Sequence, residues 1–164
     1  METNEVIRAI LTLFSEAYAG PVDPSSTRFI DNEPDSGILG IIAGVSAGEA
    51  SWSGSKNDPG TTIASHVEHL RWSLANANGA LQGKAYSSSW KESWNTLAAD
   101  DAGWKRLQEE LREEFEMLHE NIQKQKELPG EYLLGVMALV PHAAYHLGTI
   151  RQLIERAHES VSKR

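Results

Sequence analysis

The feature that most constrains the fold is the spacing of apolar residues in the stretch that begins at Asp101. Apolar side chains follow one another there at steps of three and four: Trp104, Leu107, Leu111, Phe115, Leu118 and Ile122. Glutamates and other charged residues fill most of the intervening positions. Because an α-helix repeats about every 3.6 residues, the apolar side chains form one stripe and the charges lie opposite. The pattern predicts an amphipathic helix whose apolar face is buried.

Three further segments have the same apolar period and complete a set of four substantial helices. They are residues 3–18, the stretch from Thr61 or Thr62 to Asn78, and the stretch from about Glu131 to His158. Residues 37–50 favour a short additional helix, residues 79–100 a long connection, and no segment shows a convincing strand pattern. The sequence therefore predicts an all-α fold, most simply a four-helix bundle, as a single domain over residues 1–164.

The last predicted helix contains two unusual features. Residues 132–140 are apolar on every side, which predicts that this half of the helix is buried on most sides. Pro141 follows directly, and a proline lacks the N–H that would bond to the carbonyl of Met137. We therefore expect the helix to kink or to restart at this point.

Composition narrows the functional classes. The chain has 164 residues, a formal net charge of -8 and no cysteine. Negative charge disfavours nucleic-acid binding, and the lack of thiols means that nitrogen and oxygen atoms would have to hold any metal. The longest uncharged apolar run is far shorter than the roughly 20 residues of a membrane-spanning helix, and the first residues do not resemble a secretory signal. We expect a soluble, cytoplasmic protein that binds neither membrane nor nucleic acid.

Histidines on two of the apolar helices are the strongest candidates for chemistry. His142 and His146 are four residues apart, so a helix projects both imidazoles from one face. His66 and His69 lie on the second helix, His66 within its apolar arc and His69 at the edge of that arc. Either could face the other pair across the bundle and complete a three-nitrogen metal site with open positions. The alternative is that all four are core-edge histidines bonded to carbonyls or acids.

Other polar and aromatic residues have less specific interpretations. Glu68 points away from His69 on the helical wheel and is expected at the surface or behind the site. Arg151 follows the histidine pair and could bind a substrate carboxylate, although an ion pair is favoured. Trp90 and Trp94 could form an aromatic wall over the site or simply pack the connection onto the bundle. His119 is expected at the surface, and no role is assigned to His158.

Two segments resemble motifs of the DinB-like (YfiT-type) superfamily, which is unrelated to the DNA polymerase of that name. The stretch "TIASHVEHL" resembles its second-helix motif, in which a metal-binding histidine precedes a leucine. The stretch "HAAYHLGTIRQL" resembles its last-helix motif, a histidine pair followed closely by glycine and a polar residue. The resemblance extends from the first helix to about residue 156.

The resemblance implies a fold, an oligomer and a metal site. The implied fold is a four-helix bundle with up-down-down-up connection, and members of the superfamily are usually homodimers. The implied metal site holds a divalent ion, zinc, nickel or iron, with three histidines. By motif position these are His69, His142 and His146. His66 stands where the superfamily usually has an apolar residue, which leaves open whether it replaces or joins His69.

The resemblance also implies a range of activities. The superfamily includes transferases that depend on low-molecular-weight thiols as well as metal-dependent hydrolases, both acting on small molecules. Since this chain has no cysteine, any such thiol has to come from a cofactor. We therefore expect a metal-dependent thiol transferase or hydrolase. The alternatives are a non-catalytic bundle that binds a metal or small ligand in a stress response, and a purely structural helical dimer.

Overall fold

The structure is a computed structural model that describes residues 3–55, 58–59, 61–87, 89 and 91–162. It contains these α-helices: α1 (Thr3–Ala19), α2 (Ile38–Ala43), α3 (Ala47–Ala50), α4 (Ile63–Leu81), α5 (Asp101–Gln123) and α6 (Gly130–Ser162). Short 3-10 helices cover Pro24–Ser26 and Glu92–Trp94, and strand β1 (Gly54–Ser55) pairs antiparallel with β2 (Asp58–Pro59). Four of the helices are long, and they correspond to the four predicted from apolar spacing. The predicted all-α class is confirmed.

The four long helices pack around one apolar core. Helix α1 contacts α5 and α6, and α4 contacts the same two helices, so α1 lies diagonally opposite α4. The core draws fully buried side chains from every one of them: Phe14, Leu70, Leu111, Leu118 and Ile150. Burying these large apolar side chains is the main favourable term that holds the helices together. The arrangement brings the face of α4 that carries histidines against α6.

A capping box fixes where α4 begins. The Thr62 hydroxyl accepts a hydrogen bond from the Ser65 amide at 3.1 Å, and the Ser65 hydroxyl accepts one from the Thr62 amide at 2.9 Å. These bonds satisfy amides that would otherwise have no partner at the helix start. Of the two predicted caps, Thr62 is the one used. Because the first residue of the helix is fixed, so is the direction in which each later side chain points.

A buried carboxylate ties the loop that follows α1 to that helix. Glu16 is 3% exposed, and its Oε1 accepts hydrogen bonds from the amides of Arg28, Phe29 and Ile30 at 2.7, 3.0 and 3.3 Å. One carboxylate oxygen therefore supplies the acceptor for three consecutive amides of this loop. Helix α1 ends just before Gly20, whose φ of 100° is accessible to glycine at little cost.

Helix α6 narrows one prediction and contradicts another. It continues through Pro141, so of the two alternatives, a kink or a restart, the restart is excluded. Its first half is not buried on most sides, contrary to the prediction. Leu134 and Met137 are 70% and 49% exposed, whereas Val136 and Leu139 are buried. The uniformly apolar sequence could not indicate which side packs, since that depends on where α1 and α4 lie.

Within the described part of the chain, α6 alone is long and apolar enough, over Gly130–Ser160, to cross a membrane by length and composition. Core helices of soluble proteins can have the same length and composition. Only 33% of the most apolar part of this segment is buried inside the protein.

Candidate metal centre

Four histidines meet where α4 packs on α6. His66 and His69 project from α4 and are each 3% exposed, and His146 projects from α6 and is 2% exposed. His142, one turn before His146, is half-buried. The spacing of four residues on α6 places both of its rings on one face, with centroids 4.6 Å apart. The two helices therefore bring together the histidines that the sequence singled out.

Three of these rings point one nitrogen at a common centre. The Nε2 atom of His142 lies 3.0 Å from Nε2 of His69 and 3.1 Å from Nε2 of His146. One ligand atom from each of the three histidines lies within 4.8 Å of the others. Imidazole nitrogens bind metals at about 2.1 Å, so two ligands of one ion are about 3.0 Å apart at a right angle and about 3.4 Å apart at the tetrahedral angle that zinc favours. The spacing of the three nitrogens fits one ion.

If hydrogen bonds alone held this arrangement, two neighbouring nitrogens would have to share one proton or one lone pair on Nε2 of His142. A ring nitrogen of neutral histidine has either one proton or one lone pair, so it makes one hydrogen bond in the plane of the ring. Nε2 of His142 nevertheless lies within bonding distance of two other nitrogens. A cation would use the lone pairs of all three at once. His69, His142 and His146 thus form a group that could hold a metal ion.

His66 belongs to the cluster but not to this group of three. Its Nδ1 lies 2.8 Å from Nδ1 of His146, on the side of that ring that faces away from the common centre. Its Nε2 lies 2.9 Å from the hydroxyl of Thr61. The structure therefore places His66 behind His146 rather than in place of His69.

The long connection between α4 and α5 supplies two further contacts to the cluster. The hydroxyl of Ser93, a fully buried residue, lies 2.6 Å from Nδ1 of His69. Trp94 stacks on the His69 ring with centroids 4.2 Å apart and planes inclined by 18°. Trp94 therefore covers the cluster, which was one of the two interpretations offered for this tryptophan. Trp90 lies outside the described residues. Ser93 was not among the predicted site residues, since a serine in a polar connection carries no signal.

Burial keeps these imidazoles uncharged. Loss of hydration lowers the pKa of both His66 and His69 from 6.5 to about 4, and for His69 the neighbouring histidines add to the effect. Burial, followed by repulsion from the other three rings, lowers the pKa of His146 to about 2. Burial also lowers the pKa of His142. All four are therefore neutral at pH 7, which is the state in which histidine binds metals.

A cavity of about 490 Å³ opens beside His142, between α4, α6 and the start of the long connection. Its walls are mainly apolar and aromatic: Ala77, Leu81, Tyr86, Tyr132, Val136 and Leu139. Among the described residues, the charged side chains that line the cavity are those of Lys84 and Glu131, and both residues are exposed. A volume of this size suits a small organic molecule with an apolar body.

The other residues considered in the sequence have structural partners. Glu68 forms a paired hydrogen bond with Arg71, both at 2.7 Å, within α4. Arg151 bonds the Asp31 carboxylate at 2.6 Å and the Ser36 carbonyl at 2.7 Å, so its interpretation as an ion-pair residue is confirmed. His119 is half-buried beside Phe115 rather than fully at the surface, and His158 lies 3.1 Å from the Glu49 carboxylate.

Comparison with known proteins does not place the chain in a family. No family model, no curated protein and no solved structure matches it.

Proposed function

We propose that this protein is a metal-dependent enzyme of the DinB-like type, a low-molecular-weight-thiol transferase or a hydrolase. His69, His142 and His146 would hold a divalent zinc, nickel or iron ion. The observation that carries the proposal is the convergence of three neutral imidazole nitrogens next to an apolar cavity. The likeness of two sequence segments to the DinB-like motifs supports the choice of class. The same likeness supports an up-down-down-up bundle, a homodimer and a cytoplasmic location.

Three protein ligands leave positions open on the ion, as in catalytic rather than structural sites. A bound divalent cation would lower the pKa of a water or a thiol ligand toward neutrality and so provide a nucleophile at pH 7. The protein's own contribution is to hold three neutral rings in place and to limit access of water from the side that Trp94 covers. Because the chain has no cysteine, a thiol nucleophile would be a small-molecule cosubstrate.

The position of the cavity determines which ligand is nearest to the substrate. Of the three histidines, His142 lines the cavity and is half-buried. His69 and His146 are buried. A small molecule in the cavity would therefore approach the site from the His142 side. Its apolar body would rest on Val136 and Leu139 of α6.

A second candidate is a non-catalytic bundle that binds a metal or a small ligand, and one observation favours it. Two of the three histidines are almost inaccessible, and Trp94 stacks directly on one of them. A site closed on that side suits retention of an ion. The two functions differ in whether the ion can exchange its non-protein ligands. In cobalt-loaded protein, an added thiol or azide that binds the ion would change the visible absorption spectrum.

The test is elemental analysis by mass spectrometry of protein purified without a metal-affinity tag. We expect about one equivalent of zinc, nickel or iron per chain, as for a single three-histidine site. His146→Ala should lose it, whereas His119→Ala, which changes a half-buried histidine outside the cluster, should keep it. Wild-type protein that stays free of metal after incubation with each ion would contradict the proposal. Metal-loaded protein should then be assayed with thiol and electrophile pairs and with hydrolysable esters and amides.

A further inference from the structure

His66 is the member of the cluster that the proposed metal site does not use. It lies on the apolar face of α4 and is 3% exposed, at a position where the helical pattern calls for an aliphatic side chain. Burying an imidazole costs free energy unless both ring nitrogens find partners. Both do, since Nδ1 faces His146 at 2.8 Å and Nε2 faces Thr61 at 2.9 Å. A polar group that is buried and fully paired in this way needs an explanation beyond packing.

We propose that His66 is a positioning residue for the metal site, which fixes the ring orientation and the tautomer of His146. The proposal rests on the proposed function, because it assumes that His146 binds an ion. When Nε2 of His146 gives its lone pair to a metal, the neutral ring carries its proton on Nδ1. That proton can only be donated to Nδ1 of His66, which therefore accepts, and the proton of His66 is then on Nε2 and is donated to Thr61.

The chain of hydrogen bonds thus has one direction, from the metal ligand to Thr61, which is exposed. Ring nitrogens of metal-binding histidines usually donate to a carboxylate, a carbonyl or water. In this protein the acceptor would be a second histidine, His66. The ring of His66 is itself held by the edge of Trp94, with centroids 5.2 Å apart and planes inclined by 88°. His69 has the equivalent support from Ser93.

The alternative is that His66 is itself a metal ligand. Geometry opposes it, since the nitrogen nearest to the cluster, Nδ1, is 2.8 Å from a nitrogen of His146 that faces away from the common centre. A ligand role and a positioning role also predict different results for asparagine at this position. The Oδ1 of asparagine occupies nearly the place of Nδ1 of histidine, so His66→Asn can still accept the hydrogen bond from His146. His66→Leu cannot.

The first experiment measures zinc affinity of the full chain by competition with a chromophoric chelator. We expect His66→Leu to weaken zinc binding by roughly 10- to 100-fold, as loss of such a supporting partner usually does. His66→Asn should recover most of that loss. The visible spectrum of cobalt-loaded His66→Asn should keep the wild-type band shape, whereas His69→Ala should change it. Equal zinc affinity in wild type and His66→Leu, or an altered cobalt spectrum in His66→Asn, would overturn the positioning role.

The second experiment needs no variant and so does not depend on whether His66→Leu folds. Nitrogen–proton correlation spectra of zinc-loaded wild-type protein, labelled with 15N in histidine, show which ring nitrogen carries the proton. We expect the proton of His66 on Nε2 and that of His146 on Nδ1. A His66 protonated on Nδ1 in the loaded protein would contradict the proposal, even if zinc binds normally. Failure of the wild-type protein to bind zinc, nickel or iron would instead overturn the proposed function, and this inference with it.

Discussion

Two histidines of the cluster have a neighbour that contacts the ring at the nitrogen away from the common centre. His146 has His66 and His69 has Ser93, at 2.8 and 2.6 Å. Such contacts would matter in the proposed metal site, because a ring that is free to rotate presents its lone pair to an ion only part of the time. The separation of four residues on α6 could be read from the sequence. The partners could not, since Ser93 is 24 positions away from His69 in the chain.

Replacing Ser93 tests this dependence at one residue. In Ser93→Ala, Nδ1 of His69 loses the Ser93 hydroxyl as a hydrogen-bond partner in a buried site. We expect zinc affinity to fall by roughly 10-fold or more, the lower end of what loss of such a partner costs. Competition with a chromophoric chelator measures the change. Ser89→Ala, which alters an exposed serine in the same connection, is the matched control, and an equal loss in both variants would argue against a specific contact.

At the scale of elements, side chains on the helices hold the long connections in place. Thr62 caps α4 and also donates to the Leu97 carbonyl at 2.9 Å, which ties the end of the α4–α5 connection to the start of α4. Glu16 similarly fixes the loop after α1. Helical periodicity predicted the long helices because their apolar faces are local in sequence. It did not predict these ties, which join residues that are distant in the chain.

Replacing Glu16 tests how much one such tie contributes. Glu16→Ala leaves three amides in part-buried hydrogen bonds without this acceptor. We expect the free energy of unfolding to fall by about 3 kcal/mol, since each unsatisfied group costs roughly 1–3 kcal/mol and water can reach some of them. Urea unfolding measures the loss. Glu16→Gln keeps an oxygen acceptor and should lose less, whereas Glu5→Ala, at an exposed site on the same helix, should change little. A loss below about 1 kcal/mol in Glu16→Ala would show that the loop has other support.

For the whole molecule, burial of four histidines makes stability depend on pH. In the unfolded chain histidine titrates near 6.5, whereas in the folded protein the pKa of His66 and His69 is about 4. Between these values the unfolded state binds more protons than the folded state. The free energy of unfolding of metal-free protein is therefore highest above pH 6.5 and falls as pH is lowered toward 4.

Urea unfolding in the presence of a chelator, repeated at several pH values, measures this dependence. His69→Leu removes one of the buried histidines, so we expect a shallower fall in stability between pH 6.5 and 4 than in wild type. His119→Gln removes a histidine outside the cluster and serves as the control. A stability that is constant from pH 7 to pH 4 in wild type would mean that these rings are more hydrated than their burial indicates.

The sequence by itself determined the all-α class, the four long helices and the histidines worth testing. These follow from local spacing, because an apolar stripe or a histidine pair on one turn is set by the helical period. The tertiary structure decided what depends on distant parts of the chain. It left one side of α6 exposed, placed Ser93 and Trp94 on His69, and gave His66 and His69 different positions in the cluster. Both histidines face the same neighbouring helix, so only the packing of α4 on α6 distinguishes the ring at the common centre from the ring behind it.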